Sequence, residues 1–173
     1  ITNIMFLGAP STGKTTIAEA CARHFNTSWM PEYGREYWEK YNIDRRLTPE
    51  QLVEIAKGHL EREDQKLLTA NKYLFTDTNA ITTFMFSMYY HGYALPELAD
   101  LARSAESRYQ LVFLCDTDIL YEDTWDRSGD VNRKGFQEEI RADLERRGIR
   151  FKVLRGRLNE RIEVVDAELR EFK

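Results

Sequence analysis

The sequence predicts an α/β fold of three layers, a parallel sheet of about five strands with helices on both faces and a small lid. Three observations predict it. Short apolar runs alternate with longer amphipathic stretches along the chain. A glycine-rich segment, Gly8 to Thr15, stands between the first apolar run and the first amphipathic stretch. The chain has 173 residues and neither an internal repeat nor a Pro/Gly/Ser-rich linker, which suits one domain over residues 1–173.

Each element has its own signal. Asn3 to Leu7 is an apolar strand ending at Gly8. Lys14 to Phe25 is a helix with Ile17, Cys21 and Phe25 on one face. Thr48 and Pro49 start the next helix, Thr as N-cap and Pro in the first turn, and its stripe runs through Leu52, Ile55, Ala56, His59, Leu60 and Leu67 to about Leu68. Lys72 to Thr76 is a strand ending at Asp77, and Asn79 to Tyr90 an aromatic-rich helix. Pro96 to Glu106 is helical and Leu111 to Cys115 a strand. Asp116 to Gly135 is polar and reads as the lid. Phe136 to Arg147 is a helix stopped by Gly148, Phe151 to Leu154 a last strand, and Leu158, Ile162, Val165 and Leu169 the stripe of a C-terminal helix. Strands alternating with helices imply a parallel sheet, with ligands at the carboxyl ends of its strands.

Composition narrows the function. The formal net charge of −4 argues against a nucleic-acid surface, which needs a basic face. No apolar run approaches the roughly 18 residues of a membrane span. The two cysteines, Cys21 and Cys115, lie far apart and suggest neither zinc nor a disulfide framework, which fits a cytoplasmic protein. The chain opens at Ile1 rather than Met, which leads us to expect either a leading residue or a whole segment upstream.

Gly8-Ala9-Pro10-Ser11-Thr12-Gly13-Lys14-Thr15 matches G-x-x-x-x-G-K-[ST] at every fixed position, and a strand precedes it and a helix follows it. This is a phosphate-binding loop, and the fold it implies is that of the P-loop NTPases. Backbone N–H groups from Gly8, Pro10's neighbours, Ser11, Thr12 and Gly13 surround phosphate oxygens. Lys14 places a charge between phosphates, Thr15 offers a hydroxyl to Mg²⁺, and Thr16 reaches a further phosphate oxygen. ATP and Mg²⁺ are the expected cofactors. A carboxylate at the end of a neighbouring strand must face the metal; Asp77 fits, with Asp116 as rival and helix capping as the alternative for both.

The P-loop class divides further. No complete Asn-Lys-x-Asp guanine reader follows a strand, and the chain is too short for a motor ATPase with its helical lid domain. A small-molecule kinase fits the length. Such an enzyme needs a cationic lid, and Arg127, Arg133 and Lys134 are placed to supply it.

Glu32-Tyr33-Gly34-Arg35-Glu36 and Thr76-Asp77-Thr78-Asn79-Ala80-Ile81-Thr82-Thr83, taken with the P-loop, resemble the ribosylnicotinamide kinase domain of the bacterial NadR proteins. The supporting strings are Phe25-Asn26-Thr27, Gly58-His59 and Tyr90-His91-Gly92. The resemblance implies ATP-dependent phosphorylation of the 5′-hydroxyl of nicotinamide riboside, and an upstream adenylyltransferase domain as fusion partner. It assigns Glu32, Tyr33 and Arg35 to the acceptor pocket, with Asp77 and Asn79 beside the acceptor. It leaves open whether Glu32 or Asp77 is the base. Two positions depart from the family pattern, Pro31 before Glu32 and Asn79 two residues after Asp77, and both lie on the acceptor side. Two alternatives therefore stand: a kinase for another nucleoside or small alcohol, and a nucleotide-binding regulatory module.

Overall fold

The computed structural model describes residues 1–41, 47–118 and 129–172, the side chains of 129–132 excepted. The strands are β1 (Thr2–Leu7), β2 (Ser28–Met30), β3 (Tyr73–Asp77), β4 (Leu111–Cys115) and β5 (Lys152–Leu154). They form one parallel sheet in the order β2-β3-β1-β4-β5. Central β1 is buried on both sides, from Ile4 to Leu7, as a parallel strand between helical layers must be.

Side chains alternate across it. Ile4 and Phe6 point to a core shared with α1 (Lys14–His24) and α7 (Leu158–Glu171). Met5 and Leu7 point to a core shared with α4 (Ala80–His91), α5 (Pro96–Ala105) and α6 (Gly129–Arg146). Phe6 stacks on Phe75 of β3 and on Phe113 of β4, ring centroids 6.2 and 5.7 Å apart, so aromatic pairs tie three strands together. A third core, beside β2, joins α2 (Tyr33–Lys40) and α3 (Pro49–Thr69) to Met30 and Leu98.

The three-layer expectation holds, and three local readings change. Ser28–Met30 is a strand and Tyr33–Lys40 a helix, and periodicity predicts neither. β2 is three residues long, too short to show a period, and exists because β3 offers it an open edge. The helix expected from Phe136 begins at Gly129, so the tail of the lid, Arg133 and Lys134 included, is helical. Arg127 lies outside the described residues. In the C-terminal helix the buried face is Arg161, Val165 and Leu169, with Leu158 exposed.

Candidate active site

The turn after β1 is built on positive φ. Gly8 sits at φ 152°, and a Cβ there would lie 2.6 Å from Thr12 Oγ1 and 2.8 Å from the Cys115 carbonyl. Gly13 is left-handed at φ 87° and precedes α1 without any side-chain cap. The first N–H groups of α1 are thus left for an anion, and no acidic side chain stands in that turn to oppose one. Lys14 Nζ donates to the carbonyls of Gly8 (2.8 Å) and Ala9 (3.3 Å), lying back over the loop. Thr15 and Thr16 are exposed at its mouth, and Pro10 is buried beneath it.

Three long side chains grip this loop from outside. Gln137 of α6 accepts from Ala9 N (2.8 Å) and donates to the Cys115 carbonyl (2.9 Å). Arg133, one turn earlier, donates to the carbonyls of Ser11 (2.9 Å) and Thr117 (3.1 Å). Arg161 of α7, 1% exposed, donates to the carbonyls of Thr12 (2.5 Å) and Gly156 (3.2 Å) and to Asp118 Oδ1 (2.8 Å). With loop carbonyls claimed from outside, the loop holds its shape before any phosphate arrives. Gln137 and Arg161 escaped the sequence reading. Their signal was there: a polar residue inside an apolar helical stripe.

Asp77 ends β3 fully buried. Its Oδ2 accepts from Thr15 Oγ1 at 2.6 Å and its Oδ1 from Thr78 Oγ1 at 3.1 Å. Thr78 takes φ 73°, a left-handed conformation that a β-branched residue avoids, and its N–H donates to the Phe6 carbonyl (3.1 Å). Backbone strain therefore sits beside the carboxylate. A hydroxyl and a carboxylate side by side form a hard oxygen set of the kind Mg²⁺ takes, and that ion needs only one or two protein carboxylates. Asp116 is engaged elsewhere: it accepts from Arg155 Nε (2.7 Å) and Thr117 N (2.8 Å). Partial burial works against its charge, but Arg155 holds its pKa below the usual carboxylate range.

A pocket open to solvent lies beside the first turns of α4. Phe86 and Phe136 form aromatic walls, Leu52 and Ile55 an apolar floor, and Glu32 brings a carboxylate. Glu32 stands at the N-cap position of α2 but makes no cap bond to that helix. His91 at the end of α4 bonds the carbonyl of Leu47 (2.7 Å), another lining residue.

Three residues assigned to the acceptor go elsewhere. Tyr33 is buried with its ring on Gly58, where a Cβ would come within 2.2 Å of it, and under the Arg62 guanidinium at 3.9 Å. Arg35 is exposed and pairs with Glu39 at 3.4 Å. Asn79 caps α4, accepting from Ile81 N (3.0 Å) and Thr82 N (3.4 Å). The amide at that position thus has a structural job.

A sheet in the order 2-3-1-4-5, with a phosphate loop after β1 and the Thr15–Asp77 contact at its mouth, defines a P-loop nucleotide-binding domain of the small-kinase architecture. The chain belongs to a known family of this class: the family model described as AAA domain matches residues 3–161. It is similar to the Trifunctional NAD biosynthesis/regulator protein NadR of Escherichia coli, 32% identical over 155 residues. That match covers 87% of this chain and 37% of the relative, so the chain spans just over a third of the relative's length. Among solved structures it resembles a NadR protein in complex with NR, at TM-score 0.79 and 25% identity, over 98% of this chain and 49% of that one. A NadR protein in complex with NAD and AMP-PNP matches at TM-score 0.78 and 25% identity over the same shares.

Proposed function

We propose that this domain binds ATP along Gly8 to Thr16 and transfers its γ-phosphoryl group to the 5′-hydroxyl of nicotinamide riboside, giving the mononucleotide. The observation that carries the reading is the position of Asp77. It touches Thr15 of the phosphate loop on one side, and the strand it ends leads directly into α4, whose first turns line the pocket. Asp77 thus stands at the phosphate loop, three residues ahead of the helix that lines the pocket. The NadR structures with NR and with AMP-PNP support both halves.

Thr15 and Asp77 would hold Mg²⁺, which when bound neutralises charge on the phosphate oxygens. Lys14 leaves the loop carbonyls for the phosphates. In the transfer a bond forms from the acceptor oxygen to the γ-phosphorus while the bond to the ADP oxygen breaks. The hydroxyl proton goes to Asp77 or Glu32. The transition state is loose, so positioning and neutralisation by Lys14 and Arg127 matter more than the base, with Arg133 holding the loop through the Ser11 and Thr117 carbonyls. The pyridinium ring, flat and cationic, suits aromatic walls beside a single acidic side chain. No described helix is long and apolar enough to cross a membrane, and the cytoplasm, where ATP is abundant, is the proposed site of action. An adenylyltransferase domain on the same polypeptide is part of the proposal, since the relatives are more than twice as long.

An ADP-release assay with ATP and Mg²⁺ tests it, using nicotinamide riboside, the common nucleosides and no acceptor. The expected result is turnover with nicotinamide riboside well above the rest. Turnover with a different nucleoside only would keep the kinase and remove this acceptor. ATP binding with silence on every acceptor would overturn the enzyme.

A further inference from the structure

Thr82 stands on the first turn of α4, is 8% exposed and lines the acceptor pocket. Its Oγ1 has no hydrogen-bond partner among the described residues. The contrast with its neighbour is direct: Thr83, in the same turn, donates its hydroxyl to the Asn79 carbonyl at 3.3 Å. A threonine buried in a helix ordinarily bonds back to its own backbone in that way. Leaving a buried hydroxyl unpaired is unfavourable, and such an atom in a binding pocket points to a ligand group that completes it.

The surroundings define that group. Phe86 and Phe136 pack edge to face on each other, centroids 6.4 Å apart, and the remaining lining includes Leu47, Leu52 and Ile55. Among the described lining residues Glu32 is the charged one. A flat ring lies well against such an aromatic and aliphatic lining, and its substituent must both satisfy a hydroxyl and tolerate a nearby carboxylate. A neutral amide does both, because it offers a carbonyl and an N–H₂. A carboxylate on the same ring would meet Glu32 as a like charge.

Resting on the kinase reading above, we infer that Thr82 is a specificity-determining residue: its hydroxyl binds the ring carboxamide of the acceptor, and with Glu32 selects the carboxamide over the carboxylate analogue.

The experiment measures kcat and KM of the wild type, Thr82→Val and Thr82→Ser with nicotinamide riboside, with the riboside of unsubstituted pyridine, and with nicotinic acid riboside. Valine keeps the shape of threonine and removes the hydroxyl. Thr82→Val should raise KM for nicotinamide riboside about tenfold with kcat within about twofold, a single lost hydrogen bond. It should leave the pyridine riboside unchanged, and Thr82→Ser should restore the wild-type KM. The melting temperature of Thr82→Val should stay level or rise, since an orphan polar atom has gone. Wild-type kcat/KM should be at least about tenfold lower for nicotinic acid riboside. Equal losses on the substituted and unsubstituted acceptors would make Thr82 a packing residue and overturn the inference. So would a wild-type KM in Thr82→Val, or no discrimination between amide and acid; in both cases wild-type turnover would leave the kinase reading standing. A wild type silent on nicotinamide riboside would overturn the kinase reading and this inference with it.

Discussion

Single side chains at this site divide into those that face the phosphates and those that hold the loop in place. Lys14 belongs to the first group, and Lys14→Ala should lower turnover by about 10²–10³-fold, the scale for removing one preorganised charge from a transferring group. Asp77→Asn keeps the size of the side chain and the bond from Thr15 but removes the charge. Its activity should fall and its Mg²⁺ requirement rise, read from a magnesium titration of turnover. Arg161 belongs to the second group. Arg161→Met removes the donor from the Thr12 and Gly156 carbonyls and from Asp118 Oδ1, and should destabilise the protein by about 3 kcal/mol in a urea titration. The first group was legible in the sequence because phosphate chemistry demands fixed residue types at fixed, contiguous spacing. The second was not. Gln137 meets Ala9 across 128 positions and Arg161 meets Thr12 across 149, and no local pattern records a contact over such a span. Asn79, placed beside the acceptor by the family resemblance, has a second job that its helix reveals, capping α4 through its Oδ1.

At the scale of elements, the long helices and buried strands were readable because burial imposes a period on them. β2 and α2 were not. Ser28–Met30 is held by its ladder to β3, and by Thr27, whose hydroxyl donates to the Tyr73 carbonyl (2.5 Å) and accepts from Asn71 N (2.8 Å). α2 follows from that strand and is fixed by the seating of Tyr33 on Gly58 of α3. This seating makes a prediction about function at a distance. Gly58→Ala places a methyl group where the Tyr33 ring now lies, so α2 must shift, and Glu32 at its start must shift with it. The acceptor KM should rise several-fold, and the ATP KM should stay near wild type, because the phosphate loop belongs to another layer. Equal changes in both constants would mean that α2 does not act on the acceptor side alone.

For the whole molecule, the buried ionisable groups set a stability plateau. Burial pushes the thiols of Cys21 and Cys115 up to about 12. A folded-state pKa above the unfolded value of about 8.5 means that the native state retains protons which the unfolded chain releases. The contribution is complete below about pH 8.5 and is lost as pH rises from there toward 12. Tyr109, raised by burial and by Glu63, adds to the same alkaline loss. On the acid side, burial works against the charge of Glu63, but His59, Arg108 and Tyr109 together hold its pKa below the usual value. Asp116 is lowered in the same direction through Arg155. Both contribute stability above the ordinary carboxylate range, lost as pH falls through their folded values. Thermal melts should therefore show a plateau between about pH 5 and 8 with a fall on each side, and Cys21→Ala with Cys115→Ala should flatten the alkaline limb.

The proposed phosphotransferase joins the phosphate loop to the pocket beside α4 through Asp77 and the turn that follows it. Phosphorus NMR of the reaction of ATP, Mg²⁺ and nicotinamide riboside tests it most directly, because it reports where the phosphoryl group lands. The expected result is a new phosphomonoester signal, coupled to the 5′-methylene protons of the ribose, growing in step with ADP. Inorganic phosphate in place of the monoester, or no change in ATP at all, would contradict it.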